Sequence, residues 1–154
     1  MNNPVEIVRQ ALLDAGAPDS VVTLEQEVPT AEAAARVLGC SREAIANSLI
    51  FDLDGEPLLI LASGAARVDT VLIAELLGSS KIRRASPEFV FQHTGQQIGG
   101  VAPLGHPHPI RTLLDESLAA HELLWAGAGD HLSMFSCSYP ELLRLSQAQE
   151  LRVR

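Results

Sequence analysis

Apolar residues recur along this chain in two rhythms, one near 3.6 residues and one near 2, and the two alternate from end to end. "NPVEIVRQALLDAG" predicts a helix with Asn3 as cap, Pro4 at its first position, Glu6 three residues after the cap and Gly16 as stop. "SVVTLEQ" predicts a strand, and "TAEAAARVLG" a short alanine-rich helix from Thr30 to Gly39 that suits close packing on a sheet. "IANSLIFDLDGEPLLILAS" holds two apolar runs around Asp54-Gly55, the pattern of a β-hairpin. "VDTVLIAELLG" predicts a helix capped by Asp69 and stopped by Gly78, "KIRRA" a short strand, and "SPEFVFQHTG" a helix beginning at Ser86. "IRTLLD", "ELLWAGA" and "HLSMFSC" predict strands, and "SYPELLRLSQA" a closing helix with Ser138 and Glu141 spaced as a capping box. These elements predict an α/β (α+β) fold: one domain over residues 1–154, with a mixed, mostly antiparallel sheet and flanking helices.

Composition narrows the picture. The 154 residues suit one sizeable core, and with 47% hydrophobic but only 4% aromatic residues that core is aliphatic. A net charge of -8 argues against a protein that coats nucleic acid through its phosphates, while leaving room for local contact with an RNA end. Cys40 and Cys137 lie far apart and outside any C-x-x-C pattern, as buried reduced thiols do. No apolar run approaches the roughly 20 residues of a membrane span, and the N-terminal segment lacks a signal-peptide pattern; a cytoplasmic protein is expected.

The densest punctuation is "HTGQQIGGVAPLGHPHPIR", residues 93–111, with four glycines, three prolines and three histidines. Gly99 and Gly100 permit φ > 0 and bare N–H groups, and Pro103 fixes the curve, so this loop can aim backbone donors at a carbonyl. A tight crossover between two elements accounts for the same spacing, and the segment is expected to be peripheral to the core. On a strand, Ile45, Asn47, Leu49 and Phe51 share one face, so Asn47 either lines a pocket or satisfies neighbouring backbone. His106 and His108, with His93 or His131 as a third ligand, are a minority candidate for a metal site. Lys81, Arg83 and Arg84, beside Ser79 and Ser80, form the densest cationic spot, able to meet phosphate or to protect an edge strand. "GAGDH", residues 127–131, lacks the strand-to-helix context of a dinucleotide site.

Several of these segments together, "TAEAAARVLG", "IANSLIFD", "TGQQIGGVAPLGH" and "LLDESL", resemble in order and spacing the YbaK-like family, the superfamily of the editing domain inserted in bacterial prolyl-tRNA synthetases. The likeness spans roughly residues 20–146, and its most specific piece matches the family's T-G-x-x-x-G-G-x-x-P-x-G. The resemblance implies a trans-acting hydrolase that deacylates mischarged aminoacyl-tRNA, with the terminal hydroxyl of the tRNA helping to place water. It implies a site in which Asn47, Gly99 and Gly100 are catalytic and Val101, Ala102, Pro103, Gly129, Asp130 and His131 bind substrate, with neither metal nor cofactor. The implied partners are the acceptor end of an aminoacyl-tRNA and an aminoacyl-tRNA synthetase. Asn47 stands where the family usually has a lysine, which implies as an alternative a module that binds aminoacyl-tRNA or a small ligand with impaired turnover.

Overall fold

A computed structural model of the chain describes residues 3–79 and 81–154. The elements follow as α1 (Pro4–Asp14), β1 (Val22–Thr23), α2 (Ala31–Leu38), β2 (Ile45–Leu53), β3 (Glu56–Ser63), α3 (Thr70–Leu77), β4 (Ile82–Arg84), α4 (Pro87–Thr94), β5 (Arg111–Asp115), β6 (Leu124–Gly127), β7 (Ser133–Cys137), α5 (Tyr139–Ser146) and β8 (Gln149–Leu151). The expected caps are in place: the Asn3, Thr30, Asp69, Ser86 and Ser138 side chains each accept a hydrogen bond from the first turn of their helix, and Ser138 and Glu141 complete the capping box.

The strands form one mixed sheet in the order β1-β7-β6-β2-β3-β5-β8, with β4 also paired to β2. The β2–β3 hairpin is its centre, turning at Asp54 and Gly55. β3 is buried on both faces, which is why "PLLILA" reads as an unbroken apolar run. Leu59 and Leu61 point into a core shared with Val8 and Leu12 of α1, Val90 of α4 and Leu142 of α5. Leu58, Ile60 and Ala62 point the other way, to Ile73 of α3 and to Val153. α2 packs Ala34 and Ala35 on Ile45 and Met134. Each fully buried leucine or isoleucine contributes about 1.5–3 kcal/mol relative to exposure, and β3 carries four in a row, Leu58, Leu59, Ile60 and Leu61.

Three expectations need correction. The strand expected over "SVVTLEQ" is only Val22–Thr23, an exposed edge that pairs β7 alone. The last helix stops at Ser146; Gln147 turns at φ 53, and Gln149–Leu151 join β5 as a parallel edge strand. That pairing depends on a partner 36 residues away, Leu113 against Gln149, which local propensity does not see. The glycine-proline loop is not peripheral: Val101, Ala102 and Leu104 are buried in the main core, where Val8 and Leu12 pack.

β2 is paired to β3 along its whole length, but its other side meets β6 only at Ile45 and Ala46 and β4 only at Phe51, Asp52 and Leu53. Among the described residues, no strand covers positions 47–50 on that side.

Candidate functional site

The uncovered stretch of β2 opens into a cavity of about 670 Å³. Strand alternation decides which groups face it. Gly64 N–H donates to the Ile45 carbonyl at 2.8 Å, so the backbone polar groups of Ile45, Asn47 and Leu49 point to β3. Those of Ser48 and Ile50 therefore point into the gap. The Ser48 hydroxyl is also buried without a hydrogen-bond partner. Backbone groups at such an edge need a hydrogen-bond partner from outside the sheet.

The side chain of Asn47 lies on the same face as Ile45, toward α2, and Thr30 and Glu32 at the start of that helix line the same cavity. Val90 of α4 and Val101 give it an apolar wall, and the exposed Arg42 and Arg84 add positive charge to its lining. Arg84 comes from the "KIRR" cluster; Lys81 and Arg83 are exposed and line no part of the cavity, and Ser80 lies outside the described residues.

The loop at 94–106 is held by a dense set of bonds. The Thr94 hydroxyl donates to the Val90 carbonyl at 2.7 Å and accepts from Gln96 N–H at 3.0 Å. The buried Gln96 side chain accepts from Ala102 N–H at 2.8 Å. Gly100 N–H donates to the Gln97 carbonyl at 2.9 Å, and Gly129 N–H donates to the Gly100 carbonyl at 3.1 Å. His106 Nε2 donates to the Ala102 carbonyl at 2.8 Å, and burial pushes the pKa of that ring down. Thus the N–H groups of Gly100 and Ala102 hold the loop in shape. Among the described residues, no hydrogen bond engages the alternate N–H groups, those of Gly99 and Val101, and both residues line the cavity. Gly99 adopts φ 86, a conformation that costs any other residue, and it is exposed at the cavity.

The structure therefore brings Asn47, Gly99 and Val101 to one cavity. Gly100 backs it from behind, so close to the turn at Asp130 that a Cβ would lie 2.9 Å from the Asp130 Cα. Asp130 lines a small adjoining recess of about 30 Å³ that shares Asn47, Gly99 and Val101 with the main cavity, and its Oδ1 accepts from Leu132 N–H at 2.9 Å. Ala102 is fully buried in the core, and Gly129 is wedged against the backbone of Pro4. Pro103 is buried beside a separate cavity of about 530 Å³ that His106 and His108 also line. His131 stands outside the main cavity and donates from Nε2 to the Ile98 carbonyl at 2.9 Å. His93 packs against His108 with ring centroids 5.7 Å apart, while His106 is turned to Ala102. Among the described residues, no group of three His, Cys, Asp or Glu side chains is placed to hold a metal ion. Ser48, Thr30 and Arg42 line the cavity without any sequence signal; Arg84 had one in its cationic cluster.

Comparison with known proteins gives a consistent result. A family model described as aminoacyl-tRNA editing domain matches residues 25–145. The uncharacterized protein YwhH of Bacillus subtilis is 34% identical over 129 residues, covering 83% of this chain and 82% of that protein. The proline–tRNA ligase of Maridesulfovibrio salexigens is 33% identical over 95 residues, 62% of this chain but only 15% of the ligase. A crystal structure of "a putative trans-editing enzyme for prolyl tRNA synthetase" superposes with a TM-score of 0.93 at 34% identity, covering 100% of this chain and 98% of that one.

Proposed function

The chain belongs to the aminoacyl-tRNA editing domain family, and we propose that it acts in trans to hydrolyse the ester joining a misattached amino acid to the terminal ribose of a tRNA. The observation that carries this reading is the meeting of two loop N–H groups, at Gly99 and Val101, that no hydrogen bond engages among the described residues, with the Asn47 side chain in one cavity beside the strand edge at Ser48.

The chemistry follows from what those groups can donate and accept. Attack of water on the ester carbon turns the carbonyl oxygen into an oxyanion. The N–H groups of Gly99 and Val101 and the Asn47 amide are donors fixed before the reaction, and one such donor is typically worth about 10²–10³ in rate. Collapse of the adduct breaks the bond to the ribose oxygen, which takes up a proton, leaving the free amino acid and a tRNA with its hydroxyl restored. The Ser48 carbonyl suits the α-ammonium that every aminoacyl ester carries. Arg84 and Arg42 suit the phosphate that precedes the terminal ribose. No protein nucleophile is needed, and the neighbouring hydroxyl of the terminal ribose is well placed to hold the water. Asn47 supplies a hydrogen bond where the resembled family has a charged lysine, so the site works with less positive charge at its centre.

The test is direct incubation of the purified protein with non-cognate alanyl-, seryl-, threonyl- and cysteinyl-tRNA. Release of amino acid above the spontaneous rate from at least one of them is the expected result. Binding without release across the panel establishes the second reading, a binding module whose turnover was lost with the lysine. Neither release nor binding overturns both. The cytoplasm, where tRNA is charged, is the compartment this activity requires.

A further inference from the structure

Resting on the editing reading, we infer that the groove between Phe91 and Ile98 is the stacking platform for the terminal base of the acceptor strand. The base is attached to the same sugar as the ester. With the ester carbonyl at Gly99 and Val101, the base must land on a wall adjacent to Gly99. Ile98 is that wall: it lines both the main cavity and an outer groove of about 540 Å³. Phe91 faces it across the groove. These are among the most exposed large apolar side chains of the protein, Phe91 at 58% and Ile98 at 53%. α4 buries Val90 in the core and turns Phe91 outward, and the nearby Phe89–His93 pair leaves the Phe91 ring without an aromatic partner among the described residues.

The lining of the groove fits a base better than a protein. Gln92, Gln97 and Glu88 flank the apolar pair; a side-chain amide both donates and accepts, as the edge of adenine does, and a carboxylate accepts from an exocyclic amino group. His131 fixes the platform by its bond to the Ile98 carbonyl. A stable protein partner usually covers about 800 Å² on each side, whereas the apolar part here is three side chains, Pro87, Phe91 and Ile98. Charge points the same way. With a net charge of -8, long-range attraction to RNA is weak, so short-range stacking must supply affinity at the tRNA end.

The experiment compares wild type, Phe91→Ala and Phe91→Trp with two probes: the oligonucleotide 5′-ACCA-3′ and the same strand with an abasic terminal nucleotide. Phe91 is largely exposed, so neither substitution should disturb the fold, which a thermal melt checks. Wild type should prefer the base-terminated strand. Phe91→Ala should weaken that binding roughly 5- to 150-fold and leave the abasic strand unaffected. Phe91→Trp should retain the preference, with its fluorescence quenched only by the base-terminated strand. In deacylation, Phe91→Ala should raise KM more than it lowers kcat. Equal affinity of wild type for the two strands, or none for either, overturns the inference. So does a Phe91→Ala protein that keeps the preference but loses a bound synthetase. The two readings also fail separately. A wild type inactive on every mischarged tRNA that still shows Phe91-dependent discrimination sinks hydrolysis and keeps the platform; full kcat/KM in Phe91→Ala does the reverse.

Discussion

Gly100→Ala tests whether the loop acts as a rigid frame. A Cβ built on Gly100 lies 2.9 Å from both the Cα and the carbonyl carbon of Asp130 and 3.2 Å from its oxygen. Carbon atoms in contact normally sit about 3.5–4.0 Å apart, so loop and turn must separate by roughly 0.6–1 Å. Both sides are backbone, and no rotamer change relieves the overlap. Overpacking of this kind costs about 1–3 kcal/mol. The Gly129 N–H bond to the Gly100 carbonyl, already 3.1 Å long, is weakened at the same time, adding about 1 kcal/mol. For a 154-residue chain, a total near 2–4 kcal/mol corresponds to a Tm lowered by about 4–16 °C. The functional effect should be larger than the structural one. Gly99 and Val101 flank the displaced residue, and a shift near 1 Å in a positioning group costs about 10²-fold in rate. A thermal melt and a single-turnover deacylation assay with the tRNA cleaved by wild type measure both. A variant that melts within a degree or two of wild type and keeps full activity refutes the frame argument, because the 2.9 Å approach would then be easily relieved.

Three further outcomes follow from the same geometry. Asn47→Ala should lower deacylation by about 10²-fold without affecting the melt, while Asn47→Lys should equal or exceed wild type; an Asn47→Ala protein with an unchanged rate removes Asn47 from the site. Burial holds the His106 pKa below its ordinary 6.5, so below that pH the unfolded chain binds a proton that the folded chain refuses, and stability falls as pH falls. The Tm advantage of wild type over His106→Gln should therefore shrink between pH 7.5 and 5.5, and a pH-independent difference contradicts this. Burial, helped by the nearby Glu141 carboxylate, pushes the Cys137 thiol up to about 12; the native protein should leave it unmodified by a thiol reagent at pH 8, with reaction appearing only on unfolding.

Much of the architecture was legible in the chain because local rules governed it. Asn3, Thr30, Asp69, Ser86 and Ser138 start helices by the hydrogen bonds their side chains accept, and Asp54-Gly55 closes a hairpin that any unbroken β2–β3 register demands. The T-G-x-x-x-G-G pattern was legible as a loop, and Thr94 and Gly100 now have physical roles in it: one ties the helix end, the other permits contact with Asp130. Asn47 was legible as an amide on a strand face, but alternation alone left open whether it lines a pocket or satisfies neighbouring backbone. Which it does depends on where β6 stops and β4 begins along β2, and both partners lie far off in sequence. Ser48, Thr30 and Arg42 were silent for the same reason. The β8 edge and the burial of Val101 to Leu104 also needed the assembled sheet and α1 around them. Caps, turns and alternation act within a few residues, so the sequence alone could specify them. A gap in a sheet is a property of strands that are absent from one side, and only the packed chain could decide where that gap would fall.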